Sequence, residues 1–234
     1  MTEEFAKLVS EPRLSKYRRA TDDPELVPDL YAMDMRLSAA AFKALHMAEV
    51  VVRNAMDREL RRWNAAAGHG EAWTTNPAGL LKSCFYDDAA DLKEAKRKAE
   101  KAVTSRDVLH DDVLAQLSFG AWRYLMPPNR AHHAKDRIWD EAISHAFANR
   151  SPNSPRSSLT KSVSIIYDLR NRVAHHEPVF HLDLQAKRRN IKDVIDAVSR
   201  EARRWFTTND EFSAMITEFQ QFAKEKNLTL PLPH

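Results

Sequence analysis

Tyr167-Asp168-Leu169-Arg170-Asn171-Arg172-Val173-Ala174-His175-His176-Glu177-Pro178-Val179-Phe180 closes the segment from which the fold of this chain is read. Leu159, Val163 and Ile166 join Leu169 and Val173 at spacings of four, three, three and four, the repeat of a helix with one buried stripe. At about 100° per residue these five side chains fall within an arc of about 120°. Arg170 lies inside that arc, about 20° from Leu159. A guanidinium there must snorkel out or meet an anion, because burying it unpaired costs several kcal/mol. Asn171 and His175 are four apart and share a face beside the stripe. Pro178 cannot continue the helix and disfavours helical geometry at Glu177, so the helix is expected over about 156–176. His175 then sits in the last turn, where unpaired carbonyls favour a protonated ring. A guanidinium, an amide and a titratable ring at the end of one helix suit work on phosphate.

Composition points the same way. The 234 residues are 43% hydrophobic, enough to bury a core in one or two domains. Only four glycines interrupt a chain rich in Ala, Leu, Arg, Lys and Glu, and no stretch alternates long enough for a strand, so the fold class is all-α. The longest uncharged apolar runs fall far short of the ~20 residues that cross a bilayer, which argues against a membrane partner. Met1-Thr2-Glu3-Glu4 is acidic and no signal-type segment follows it. Cys84 is the only cysteine, so neither an intrachain disulfide nor a zinc thiolate cluster can form. A cytoplasmic location is expected from both features. With 36 basic and 33 acidic side chains, bulk charge does not announce a nucleic-acid binder. RNA contact would need local clusters such as Arg61-Arg62, Lys187-Arg188-Arg189 or Arg203-Arg204, each of which alone reads as a solvated helix face.

Taken in order, the chain reads as helices from Phe5 to Val9 and from Glu11 to near Ala20, then a turn at Thr21–Pro24 and at Pro28-Asp29. From Leu30 to Ala67 there is neither proline nor glycine, and Gly68 supplies the stop. This is one very long helix, or two with a break near Ser38. Phe42, Leu45, Ala48, Val52, Met56, Leu60 and Trp63 line its apolar side, and Glu49 falls inside that arc. Glu49 either keeps its carboxylate in water at the rim or faces Arg170, which solves both burial problems together. Further helices are expected over Ser83–Thr104, from Asp111 or Asp112 through Leu125, over Lys135–Ala148, Leu184–Trp205 and Asp210–Lys226. Gly120 permits either close helix packing or a kink. Asn149–Pro155 reads as a linker and Leu228–His234 as a tail.

Three separated strings resemble the Abi-like (abortive-infection) proteins of bacteria. They are Arg13-Leu14 with Tyr17, Leu30-Tyr31 and Leu37-Ser38 leading into Glu49-Val50-Val51-Val52-Arg53-Asn54; Leu117-Ser118-Phe119-Gly120-Ala121-Trp122; and Leu169-Arg170-Asn171-Arg172-Val173-Ala174-His175-His176-Glu177-Pro178. Arg170-Asn171-x-x-x-His175 also matches the R-polar-x-x-x-H signature of HEPN ribonuclease domains. The resemblance implies a single Abi-like HEPN domain over 1–234, a helical bundle with additional N- and C-terminal helices that forms a homodimer. It further implies a metal-independent endoribonuclease that needs no cofactor and acts in phage defence, under a regulatory partner or a phage trigger. Some relatives carry a tyrosine two residues after the histidine; Glu177 stands there in this chain, so that regulation does not transfer.

On this reading His175 moves a proton, Arg170 holds the phosphate, and Asn171 orients His175 or a phosphate oxygen. Glu49 and His176 support them. DNA lacks the 2′-OH that would attack, so it is not expected to be cut. Two rivals stand beside this reading. One is a non-catalytic module binding RNA, nucleotide or a partner protein. The other is a metal enzyme using His175, His176, Glu177 and His181, disfavoured because adjacent helical residues point about 100° apart.

Overall fold

A computed structural model describes residues 2–85, 90–128 and 130–230. Among the described residues every regular element is helical and there is no strand, as the all-α reading requires. Two short helices, α1 (Thr2–Val9) and α2 (Glu11–Arg18), precede α3 (Val27–Ala66), which runs 40 residues without a break at Ser38. Helix α3 starts three residues before the expected Leu30. Pro28 lies in its first turn, where a missing N–H removes no helical bond, so the residue read as a turn is a helix start. Asp23 caps the one-turn 3-10 helix Pro24–Leu26 that leads into it, accepting the Glu25 N–H at 2.9 Å. At the other end Gly68 takes a left-handed φ of 83°. Buried Asn64 then holds the following loop, donating to the Gly70 and Asn76 carbonyls and accepting the Ala78 N–H.

The chain then continues through α4 (Gly79–Lys82), α5 (Ala90–Ala102), α6 (His110–Gln116), α7 (Phe119–Leu125) and α8 (His133–Glu141) to a 3-10 turn at Ile143–Phe147. The helix expected over Ser83–Thr104 is therefore confined to α5, since residues 83–85 form a turn and 86–89 lie outside the described residues. The helix expected through Leu125 is two, because Leu117 and Ser118 are extended. In one straight helix Leu117 and Phe119 would point about 200° apart; the bend buries both, together with Trp122 and Leu125.

Three helices follow α9 (Arg156–Ala174): α10 (Leu184–Val198), α11 (Arg200–Asn209) and α12 (Phe212–Glu225). Ser199 splits the helix expected over Leu184–Trp205. It is extended, and its hydroxyl accepts the Glu201 and Ala202 N–H groups, capping α11. Helices α9, α10 and α12 pack against α3 around one apolar cluster that runs from Ala6 to Leu228. Asn149–Pro155 is less free than a linker, since Asn149 bonds the Ala197 and Asp196 carbonyls at the end of α10. The tail is tied too where it is described: Leu228 is buried and the Thr229 N–H reaches the Ala20 carbonyl at 2.8 Å.

Asp57 fastens the loop after α3 to the middle of the fold. Its carboxylate accepts the Trp73 indole N–H and the Arg61 guanidinium, each at 2.8 Å, and meets His110 Nε2 at 2.9 Å. Thr74 holds the other nitrogen of the His110 ring. Burial alone raises the Asp57 carboxyl, but the bonds from His110, Arg61 and Trp73 outweigh it and hold it below the usual carboxylate range. That stabilisation is present above pH ~4 and is lost as the pH falls through the depressed value. Asp57→Ala is expected to lower the unfolding free energy by about 3 kcal/mol, measured by urea denaturation at neutral pH, with the gap to the parent narrowing in acid.

Candidate functional site

The end of α9 is located by a carboxylate on α3. Asp34 is buried; Oδ1 accepts the backbone N–H groups of Val179 and Phe180 at 3.0 and 2.8 Å, and Oδ2 accepts the Tyr17 hydroxyl at 2.6 Å. The Tyr17 ring stacks on Phe180 with centroids 5.0 Å apart. Burial pushes the Asp34 carboxyl up, against the pull of those three hydrogen bonds. One side chain thus gathers α2, α3 and the segment after α9.

Helix α9 stops at Ala174, two residues earlier than Pro178 alone implies, and His175 is its cap rather than part of its last turn. His176 adopts φ 55°. Its N–H then bonds the Val173 carbonyl at 3.1 Å, while the Glu177 N–H bonds the Arg172 carbonyl at 2.9 Å. These are the paired bonds of a left-handed helix stop, a position glycine usually fills, and a side chain there costs about 1 kcal/mol. The turn is fixed from outside: Arg13 donates to the His176 carbonyl at 2.6 Å. Arg172 reaches the Glu177 carboxylate at 3.1 Å and the Pro178 carbonyl at 3.3 Å.

Arg170 lies inside the apolar arc and faces Glu49, with Nε 3.7 Å from the carboxylate. That is an ion pair longer than a hydrogen bond, and Arg170 Nε is buried with no hydrogen-bond partner. Arg170 borders a cleft of about 780 Å3 together with Tyr31, Met35, Phe42 and Val173. Phe42, expected to point inward, is half-exposed on this rim. His175 lies in a different, adjoining cleft of about 440 Å3 with Arg13, Lys16, Ser10 and Ser15. Arg13, His176 and Glu177 border both clefts. Asn171 joins neither: its side chain makes no hydrogen bond among the described residues, and it is its backbone carbonyl that accepts the His175 N–H, at 2.9 Å. His175, His176, Glu177 and His181 do not converge into a group that could hold a metal ion.

The second of the three strings packs on the same helix. A Cβ on Gly120 would lie 3.3 Å from the Tyr167 ring, so the glycine serves close packing of α7 on α9. Arg123, one turn on, lies 5.6 Å from the centre of that ring and bonds Ser164. All three strings therefore meet around α9. The model of the family described as Abi-like protein matches residues 2–181, well over half of the 234. This chain is an Abi-like protein. No curated protein and no solved structure matches it. In this Abi-like protein the family match covers everything from α1 through the turn after α9, while α10, α11 and α12 lie beyond it. No helix of the described residues is long and apolar enough to cross a membrane.

Sequence reading missed Asp34, Arg13 and Lys16 as parts of the site. Asp34 carried a usable signal, since it stands four after Leu30 and three before Leu37, inside a stripe that is fully buried. If His176 serves this Abi-like protein as a helix stop, His176→Gly is expected to keep or raise stability by up to ~1 kcal/mol and His176→Val to lower it by at least as much. Denaturant midpoints of the two variants check this, and a loss on His176→Gly would contradict the role.

Proposed function

We propose that this Abi-like protein is a metal-independent endoribonuclease of the HEPN type, acting on single-stranded RNA in abortive-infection defence from the cytoplasm. The observation that carries the reading is Arg170: a guanidinium set in an apolar helix face, 3.7 Å from the Glu49 carboxylate, bordering a cleft that adjoins the one containing His175. The Arg170 side chain is 34% exposed while its Nε is buried, so the terminal N–H groups are the ones a phosphate oxygen entering the cleft would meet.

In the reaction the ribose 2′-oxygen forms a bond to the adjacent phosphorus while the bond from phosphorus to the 5′-oxygen breaks. His175 takes the 2′-hydroxyl proton or returns one to the leaving 5′-oxygen. Arg170 stabilises the charge that grows on the phosphoryl oxygens. One histidine per chain cannot hold both protonation states at once, so a second copy supplies the other. Met35 and Phe42, 60% and 50% exposed at the rim of the Arg170 cleft, give that second copy an apolar surface to cover. A homodimer across this rim is part of the proposal.

The geometry also favours a second reading. Arg170 and His175 border separate clefts and Asn171 does not bridge them, as in a module that holds RNA or nucleotide without cutting it. Labelled single-stranded RNA incubated with purified protein in EDTA separates the two. The nuclease reading expects products ending in a 2′,3′-cyclic phosphate and a 5′-hydroxyl, no cutting of the all-deoxy strand, and at least a hundredfold loss in both His175→Ala and Arg170→Ala with unchanged unfolding midpoints. Undiminished cleavage by His175→Ala sinks it, and binding without turnover in the parent leaves the module.

A further inference from the structure

The smaller cleft contains more positive charge than the chemistry at His175 requires. Its walls are Arg13, Lys16 and the hydroxyl-bearing Ser10 and Ser15 from the start of α2, facing His175 and Pro178. Arg13 spends one donor on the His176 carbonyl, which fixes the guanidinium and leaves its other N–H groups free to face an anion. Lys16, half-buried, makes no hydrogen bond and no ion pair among the described residues. Glu177 also borders the cleft, but its carboxylate is taken by Arg172 at 3.1 Å. Beneath the cleft His181 carries a buried Nδ1 with no partner. Burial and then the charges of Lys16, Arg172 and Arg19 push its ring below the usual histidine value.

We propose that Arg13 and Lys16 form a second phosphate subsite, holding the RNA phosphate next to the one that lies between Arg170 and His175. This rests on the nuclease reading for the identity of the polyanion. The two clefts adjoin through Arg13, His176 and Glu177, so a strand crossing that boundary from the Arg170 side enters the cleft that His175 lines. Arg13 acts as the fixed fork and Lys16 as a mobile point charge. Neither reads a base, so the subsite selects strands with more than one phosphate rather than a sequence.

The test uses the full chain carrying His175→Ala, so that nothing is cut, with a ten-residue oligouridylate and, separately, the dinucleotide UpU, which has a single phosphate. Lys16→Glu is expected to weaken oligouridylate binding roughly tenfold, the worth of one charge-assisted contact. The slope of log affinity against log salt should fall by about 0.7. Lys16→Arg should restore the oligomer affinity, and UpU affinity should not change. The charge of Lys16 favours the ionised form of buried Asp34, so unfolding midpoints are measured alongside, and Lys16→Met, which removes the charge without reversing it, is expected to keep the fold and still weaken the oligomer. Equal oligomer affinity in parent and Lys16→Glu overturns the subsite, as does an equal loss for UpU. If the parent binds no RNA, subsite and nuclease reading fall together. If Lys16→Glu weakens the oligomer while His175→Ala retains cleavage, the subsite stands and the role of His175 does not.

Discussion

The geometry of the site depends on one buried carboxylate. Asp34 takes two backbone N–H groups from the segment that leaves α9 and a hydroxyl from the helix packed on its other side. Among the described residues no other hydrogen bond ties the backbone of Val179 and Phe180 to α3. Hydrogen bonds to an acidic side chain are worth more than neutral ones, and two of these are local to a single turn. They position Pro178 through Phe180, which positions Glu177, which in turn lets the left-handed His176 present its carbonyl to Arg13. Arg13 and Tyr17 come from the same short helix, so α2 is held at both of its inner positions by the structure it helps to hold.

Two further polar clusters on α3, at Asp57 and at Glu49, differ in completeness. Asp57 is satisfied on both oxygens, by an indole, a guanidinium and an imidazole whose own far nitrogen is held by Thr74. A network with every member paired rigidifies its surroundings, and this one lines neither of the two clefts at α9. Arg170 and Glu49 are incomplete: 3.7 Å apart, with a buried N–H left over. An unmade bond of that kind costs about 1–3 kcal/mol. The complete cluster sits in the core and the incomplete one at a cleft, which is the distribution expected when the first serves folding and the second serves a ligand.

Helix existence was legible because the apolar stripes repeat faithfully; Leu159 through Val173 and Leu45 through Leu60 are buried as read. Boundaries were less so. Ser118 and Ser199 end or begin helices through extended backbone that a period-based reading passes over, although the Ser199-Arg200-Glu201 sequence carries a capping residue with an acid in the first turn. Phe42 fits the stripe by angle yet faces out, because an apolar arc does not reveal where the partner helices end. In the site, the facing of Glu49 and Arg170 followed from two charges each trapped among apolar neighbours. The separation of Arg170 from His175 was legible but not drawn, since five residues along a helix set two side chains about 140° apart. Arg13 and Lys16 were invisible for a plainer reason: they are ordinary cations on a polar helix face, and only the tertiary fold brings them beside His175, across 163 residues in the case of the Arg13 bond to His176.

The concentration of cations at the end of α9 has a structural explanation that accounts for only part of it. Unpaired carbonyls at a helix C-terminus attract positive charge, each worth typically under 1 kcal/mol at the surface. Here the carbonyls of Asn171, Arg172 and Val173 are already taken by the backbone N–H groups of His175, Glu177 and His176, and that of His176 by Arg13. Arg172 is matched by Glu177. Lys16 and the His175 ring remain after these groups are paired, side by side in a polar cleft with two serine hydroxyls. Charge that exceeds what the helix end can use stays at the surface only at the expense of self-repulsion, which the proposed phosphate subsite would relieve. The backbone at this end of α9 is therefore fully used as a structural stop, and the side chains of Lys16 and His175 are the groups that the stop leaves uncommitted.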